Sequence, residues 1–504
     1  MSNRKKMVLN LVCSIASFFT NLLINFVLSP YIVRTIGIEA NGFISLGNNF
    51  ITYISLITTA FSSMTARFVT VSMYKKEEEE SKKYYSSSIM ANIMVVLMLL
   101  IPAILLIHNL EFIIKIPQNL IFDVKLLFSL LIINFMINSL FSCFSVSYFT
   151  KDSLYLQNIV TLIGYLIRLV SVLVLFIVFK PNVYYIGLAA LIVIIYTSIV
   201  NLIIKNRIMN NIKFDLKSVK FSYIATLFKS GVWNSINTLG TILLTGLDLL
   251  IANVFLGSVA MGILALVKTI TNVIFTLNNQ VAQVFYPKNT ILYAKHEYKS
   301  LVEELKKEMN ILSILNSIPI ALLIVFGKEF FGLWQPTQNS WNLYILCILS
   351  MYSLIFSGGM DVLWSIFTVT NKLKWNSLLV ILSGIINIVA VILFVKYTNY
   401  GIYAIAGISP LINLLRNIFY TLPYSAKYIN QNKNTFFYQI FRSFINVFIF
   451  VITGIIFGLI ITKCSWLFLI IKCGFTFIIG LILNYVFTFS PEEKSKIKKL
   501  LKEL

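Results

Sequence analysis

This 504-residue sequence predicts an all-α polytopic membrane protein: about 14 transmembrane helices, as two pseudo-symmetric six-helix bundles plus two C-terminal helices. Three observations carry that expectation. Long apolar runs succeed one another, in a chain that is 58% hydrophobic and 12% charged, where a soluble domain carries about 25% charged residues. The connecting segments alternate between rich and poor in Lys and Arg. A pattern of glycines and polar side chains recurs at an offset of 220 residues.

A helix needs about 20 apolar residues to cross the hydrocarbon core. Runs of that length lie at 8–33, 41–71, 86–107, 123–149, 154–179 and 183–204, then at 231–256, 258–287, 309–327, 341–370, 375–395 and 401–425. Two more follow at 440–462 and 466–489. The start, Met1 to Lys6, leads into a run too long for a signal-peptide core and without a small-residue cleavage site, so it reads as a retained first span. The longest polar segments, 108–122, 205–222, 288–308 and the tail 490–504, are too short to fold as soluble domains.

A net charge of +22 raises the question of nucleic acid, and its distribution answers it. With the N-terminus placed in the cytoplasm, inside segments hold 27 Lys and Arg and outside loops hold six (Arg34, Lys115, Lys180, Lys328, Lys396 and Lys463). That bias is the positive-inside rule, and it predicts both termini in the cytoplasm. The charge reads as topology, with attraction to anionic membrane lipid secondary; no nucleic-acid partner is expected. Cys13, Cys143, Cys347, Cys464 and Cys473 form no CxxC, which argues against a disulfide framework and a metal site.

The repeat is legible residue by residue. Gly37, Gly42 and Leu46 follow span 1; Gly257, Gly262 and Leu266 follow span 7. Glycine suits a tight turn where two helices approach closely. Asn10, Ser14, Ser17, Asn21 and Asn25 recur every three or four residues, on one face of span 1. Their counterparts in span 7 are Asn234, Asn237, Thr241 and Thr245, extended by Asp248. Span 2 carries Asn48, Thr52, Ser55, Thr59 and Ser63; span 8 carries Lys268, Asn272, Asn279 and Gln283. Such residues often serve singly as interhelical glue. Stripes this long, repeated at a fixed offset, point to a hydrated cavity, since polar groups facing lipid are costly. The implied organisation is an N-terminal bundle over 1–220, a second over 221–430, and two further helices with a basic tail over 431–504.

Ionisable groups inside spans cost about 2.5–3.5 kcal/mol each on insertion scales. Arg168 falls mid-span 5, and Arg416 mid-span 12 on a face with Asn413. Asp248 and Lys268 flank the turn at Gly257 at nearly equal depth, either as a packing ion pair or in a functional role. Asp361 and Arg67 lie nearer the cytoplasmic ends, and Lys472 is placed to snorkel outward. Cations outnumber anions among the deeper groups, which suits an anion such as pyrophosphate; the arginine fork binds its oxygens in pairs.

At Leu28-Ser29-Pro30-Tyr31-Ile32-Val33 with Gly37 and Gly42, and at Ser230-Gly231-Val232-Trp233-Asn234-Ser235 leading through Asp248 to Gly257 and Gly262, the chain resembles a known family. It is similar to the oligosaccharide flippases (Wzx-type, for O-antigen or capsule repeat units) of the multidrug/oligosaccharidyl-lipid/polysaccharide exporter superfamily, over roughly 8–430. That resemblance implies a bacterial cell-membrane protein with a V-shaped central cavity that opens alternately to each side. Its cargo would be a polyprenyl-pyrophosphate-linked oligosaccharide moved to the outer leaflet for polysaccharide biosynthesis. Coupling to H⁺ or Na⁺ occurs among relatives, here through Asp248 or Asp361, with no other cofactor. The binding residues implied are Arg168, Asp248, Lys268 and Arg416, with Asn21, Asn25, Asn237, Thr241, Asn279 and Asn413 from the stripes. A monomer is expected, with other polysaccharide-assembly proteins as possible partners.

Two other classes compete. A multidrug/cation antiporter of the same superfamily should line its cavity with acids, whereas this chain offers cations. A membrane glycan polymerase or ligase needs a long outer loop or an intramembrane catalytic His; the histidines here, His108 and His296, lie in loops on opposite sides. No nucleophile elbow, phosphate-binding loop or metal-ligand cluster points to an enzyme.

Overall fold

Every predicted run is helical over most of its length in the computed structural model, which describes residues 3–151, 153–370, 372–489 and 494. The basic tail beyond 489, Lys494 excepted, and the side chains of Arg4, Lys5 and Lys6 lie outside that description. Fourteen helices among the described residues are long and apolar enough to span a membrane. They are Val12–Ile36, Ile38–Tyr74, Glu78–His108, Gln118–Thr150, Leu154–Val178, Tyr184–Ile208, Phe221–Leu256, Ser258–Ala294, Tyr298–Trp334, Ser340–Ser357, Leu373–Tyr397, Ile402–Tyr428, Tyr438–Ile460 and Trp466–Thr488, here spans 1 to 14. The chain is a multi-pass, all-α membrane protein.

Backbone contacts gather the residues into one unit over 1–265 and another over 266–504, dividing within span 8. In the first, span 2 packs on spans 3 and 7, span 4 on span 6, and span 1 on span 5. In the second, span 9 packs on span 13, span 13 on span 14, and span 12 on spans 10 and 11.

The 220-residue repeat is written in the backbone. Gly37 sits at φ 95°, ψ 166° and Gly257 at φ 97°, ψ 177°, a region that essentially only glycine occupies. The helices that follow are both 37 residues long, and they end in the same way. Lys76 (φ 64°) and His296 (φ 59°) take the left-handed conformation. Glu77 N–H then bonds to Ser72 O at 2.9 Å and Glu297 N–H to Leu292 O at 3.1 Å, while Lys76 N–H and His296 N–H bond to Met73 O and Tyr293 O. Each is a Schellman closure, which satisfies carbonyls a helix end would otherwise leave bare.

Close packing uses the glycines. A methyl placed on Gly42 would stand 2.8 Å from Met261 Cε and 2.9 Å from the Gly262 Cα. One on Gly231 would run into the Ala60 carbonyl. In lipid, where apolar burial drives little association, such backbone approach and interhelical hydrogen bonds hold helices together. Across spans 2 and 7 those bonds run from Asn234 Nδ2 to Ser63 Oγ (3.2 Å) and from Ser235 Oγ to Leu56 O (2.8 Å).

Lys472 corrects the expectation that it snorkels outward. It is 3% exposed, and its Nζ stands 2.8 Å from Glu329 Oε2 on span 9. A carboxylate already within reach removes the need to seek water.

Candidate functional site

In the N-terminal unit the site is built around Arg168. Tyr165 and Arg168 lie three residues apart on one face of span 5. They line a cavity of about 200 Å³ with Asn48 of span 2 and Asn134 of span 4, walled by Leu131 and Ile186. Asn134 is fixed by donating to Ala190 O at 2.8 Å. The Arg168 Nε is buried without an acceptor. A buried charged donor left unpaired costs about 1–3 kcal/mol or more.

Asp248, 5% exposed, starts the short turn Asp248–Ile251 between two π-helical segments, Ile242–Gly246 and Ala252–Leu256. Such bulges free carbonyls from the helix ladder and recur at functional sites. Here the Gly246 carbonyl accepts from Asn49 Nδ2 at 3.0 Å and from the Tyr53 hydroxyl at 2.6 Å. Tyr53 lies within electrostatic reach of Asp248.

The polar stripes divide between two uses. On the helix that carries span 1, Asn10 Oδ1 accepts from Tyr155 N–H (2.7 Å) and Ser14 Oγ from Asn158 Nδ2 (3.1 Å), which ties that helix to span 5. Asn25 Nδ2 donates to Asn21 Oδ1 at 2.7 Å, and Thr241 Oγ1 to Asn237 O at 3.1 Å. Asn48, Thr52, Ser63, Thr241 and Thr245 in this unit, and Asn272, Thr276, Asn279 and Gln283 in the other, are exposed, bonded or not. Amides facing acyl chains would forfeit their hydrogen bonds.

In the C-terminal unit a charged centre forms at a break in span 10. The helix is interrupted at Gly358 and Gly359, and continues as the 3₁₀ turn Met360–Leu363 and the helix Trp364–Val369. A side chain on Gly359 would collide with the Met309 carbonyl, so glycine lets span 10 lie against span 9. Asp361, on that turn, accepts a hydrogen bond from Asn278 Nδ2 of span 8. Asn278 Oδ1 accepts from Asn316 Nδ2 at 2.6 Å, and Asn316 also caps the freed Gly358 carbonyl at 2.5 Å. Arg416 faces Asp361 electrostatically. Its Nη2 donates to Asn413 Oδ1 at 2.7 Å, and its Cζ lies 5.0 Å from the Trp364 ring centroid. The π-helical segment Asn417–Thr421 follows it. The Arg416 Nε is buried without a partner.

Of the residues the sequence singled out, Asp361, Arg416 and Asn413 therefore come together in one unit, and Arg168 meets Asn48 in the other. Lys268 is half-buried on the exposed stripe of span 8. Asn279 is exposed, and its neighbour Asn278 makes the bond to Asp361. Asn278, Asn316 and Trp364 were not read from the sequence, nor was Glu308, 1% exposed on span 9. Among the described residues, no group of three or more His, Cys, Asp or Glu could hold a metal ion.

The family described as "Polysaccharide biosynthesis protein" matches residues 8–291. The "Uncharacterized membrane protein EpsK" of Bacillus subtilis (strain 168) is 27% identical over 431 residues, 86% of this chain and 85% of that protein. Among solved structures, the lipid II flippase MurJ in an inward closed conformation superposes with a TM-score of 0.70 at 14% identity, over 95% of this chain and 98% of that one. An inward-facing multidrug resistance MATE family transporter of the MOP superfamily gives 0.65 at 12% identity, over 84% and 98%. At these identities the likeness is one of fold, and the fold is that of transporters and a flippase.

Proposed function

Because this chain belongs to the polysaccharide biosynthesis protein family, we propose that it carries a polyprenyl-pyrophosphate-linked oligosaccharide from the cytoplasmic to the outer leaflet of a bacterial cell membrane. Both termini lie in the cytoplasm in this reading, and repeats over 1–220 and 221–430, followed by the appendage 431–504, alternate access to one cationic cavity. The observation that carries the proposal is the Arg168 guanidinium, buried within a span beside Asn48 and Asn134 with an N–H that no protein group accepts. Arg416 supplies a second such N–H.

The physical problem is the pyrophosphate. Taking a dianion into hydrocarbon is prohibitive, whereas arginine forks and amide stripes replace its water shell while the polyprenyl tail stays in lipid. A negative-inside potential favours outward movement of an anion by about 2.3 kcal/mol per charge per 100 mV. Ion coupling then serves to reset the carrier. Asp248 and Asp361 are the carboxyls for that step, with Asp361 the better placed because Arg416 would feel its neutralisation directly.

The test is surface glycan in cells that depend on this chain for export. Arg168→Ala and Arg416→Ala lower it by about 10- to 100-fold each, the equivalent of one charge-assisted hydrogen bond of about 1.5–3 kcal/mol, while the protein still inserts and accumulates. Normal output from both variants removes the proposal.

A further inference from the structure

Glu308 takes no part in the centres described above, yet it is among the most deeply buried carboxyls of the chain, at 1% exposure. Its neighbours Leu305, Met309 and Leu312 belong to a buried apolar cluster with Met360, Leu363 and Ile366. Asn289 Nδ2, from span 8, donates to Glu308 Oε2 at 2.8 Å and also reaches Ser365 Oγ at 3.4 Å. The Ser365 hydroxyl is itself committed to Val362 O at 2.7 Å. Two buried atoms remain without a partner, Glu308 Oε1 and Asn289 Oδ1. The charged groups acting on Glu308 are Glu304, one turn earlier, and Lys288. Lys288 is engaged by Glu304, which Lys307 also approaches at 4.0 Å. From the Met360–Leu363 turn the charged group is Asp361, already held by Asn278.

The two orphan atoms are complementary. An amide and a carboxylic acid pair head to tail through two bonds: amide N–H to one carboxyl oxygen, and O–H of the other oxygen to the amide oxygen. The first bond is present. The second needs one proton on Oε1. A carboxylate would instead leave two acceptors without a donor in an apolar core, the costly state for a buried polar cluster. A hard cation fits less well, since such ions take about six oxygens and two are open here. We propose that Glu308 is a proton-binding site, a carboxylic acid paired head to tail with Asn289. Loss of the proton redirects the Asn289 amide, whose other N–H holds Ser365 on the helix Trp364–Val369, just past Asp361. The proton thereby governs how that segment docks. Its use in a transport cycle rests on the carrier reading; the proton site does not.

Infrared spectra of the purified full chain in lipid, titrated with pH in H₂O and D₂O, test this without cargo. A protonated-carboxyl C=O band is expected at neutral pH, shifted on deuteration and reduced by one carboxyl in Glu308→Gln. In Asn289→Leu, which removes the amide partner, the band moves to higher frequency. An undiminished band in Glu308→Gln overturns the site. If that variant fails to accumulate, an unmoved band in Asn289→Leu does so alone. Displacement of the band by sodium ions at fixed pH also overturns it, by making the site a sodium site. Failure of glycan export leaves these spectra unaffected, so the two proposals fail separately.

Discussion

Ser88 and Glu308 stand 220 positions apart, at the same point of the helix that follows the Schellman turn, and their surroundings have diverged completely. In the N-terminal unit Ser88 Oγ shares hydrogen bonds with Thr65 Oγ1 at 2.7 Å and Cys143 Sγ at 3.3 Å, and Asn92 Nδ2 donates to the same sulfur at 3.4 Å. That network is neutral. The C-terminal unit places a carboxyl there, against Asn289 and Ser365, and a second one at the break in span 10. Both 220-residue repeats keep a 3₁₀ break at the end of their fourth span, at Ser142–Ser145 and Met360–Leu363. The lesson is that repeat geometry persists because glycines and turn closures enforce it, while the side-chain chemistry at matched positions is free to diverge.

Swapping the chemistry should have the largest effect. Ser88→Glu puts a carboxyl among Thr65, Cys143 and Asn92, where the Asn92 amide already donates to Ser142 Oγ and Cys143 Sγ. A cost of about 3–5 kcal/mol, the scale for a buried charge without its partner, should appear as a large fall in melting temperature in detergent. A stable Ser88→Glu protein would break the comparison. Lys472→Ala probes another buried charge of the C-terminal unit, leaving Glu329 unpaired at about 3 kcal/mol or more. The double change Lys472→Met with Glu329→Leu should recover most of the loss, since apolar replacement of a buried pair is often neutral. A further drop in the double variant would show that the charges do more than neutralise one another.

Smaller effects sharpen the neutral side. Gly42→Ala forces a methyl onto Met261 and Gly262, an overpacking of about 1–3 kcal/mol readable by thermal melting. Thr65→Val removes a buried hydroxyl that bonds both Phe61 O and Ser88 Oγ and should cost about 1 kcal/mol per bond lost. The smallest effect is that of acid on the 209–220 loop. The Asp215 carboxyl is held below the usual carboxylate range by hydrogen bonds from Ser218, from Lys82 and from the Lys217 N–H, and the loop docks through Asp215 N–H to Ser86 Oγ at 3.1 Å. A depressed value contributes stability above the ordinary carboxylate value of about 4, lost as pH falls through the lower folded one. Hydrogen exchange in this loop should therefore quicken at acid pH in the native chain and lose that dependence in Asp215→Asn.

The spans and the repeat were legible because their causes are local: apolar length, and glycine where φ is positive. Gly37 and Gly257 could be matched by eye for that reason. Which of two adjacent residues faces inward was not legible. Asn279 keeps the spacing of its stripe, yet Asn278 meets Asp361, because packing on spans 9 and 10 decides the rotation of span 8. Glu308 closes the polar segment 288–308, whose local pattern gives no sign that its last residue is buried. The Lys472 partner, Glu329, lies 143 residues away, and no local pattern announces it. Arg416 and Asp361 were each marked by their cost inside a span, which is why both ends of that centre were found without their geometry.

The most direct measurement uses purified full-length protein in lipid vesicles loaded with a fluorescent polyprenyl-pyrophosphate oligosaccharide, followed by a glycosidase added outside. The carrier mechanism predicts that the protected inner-leaflet fraction becomes cleavable with the native chain and stays protected with the Arg168→Ala, Arg416→Ala double variant. A protected fraction that stays the same with the native chain, or equal cleavage with the double variant, would contradict it.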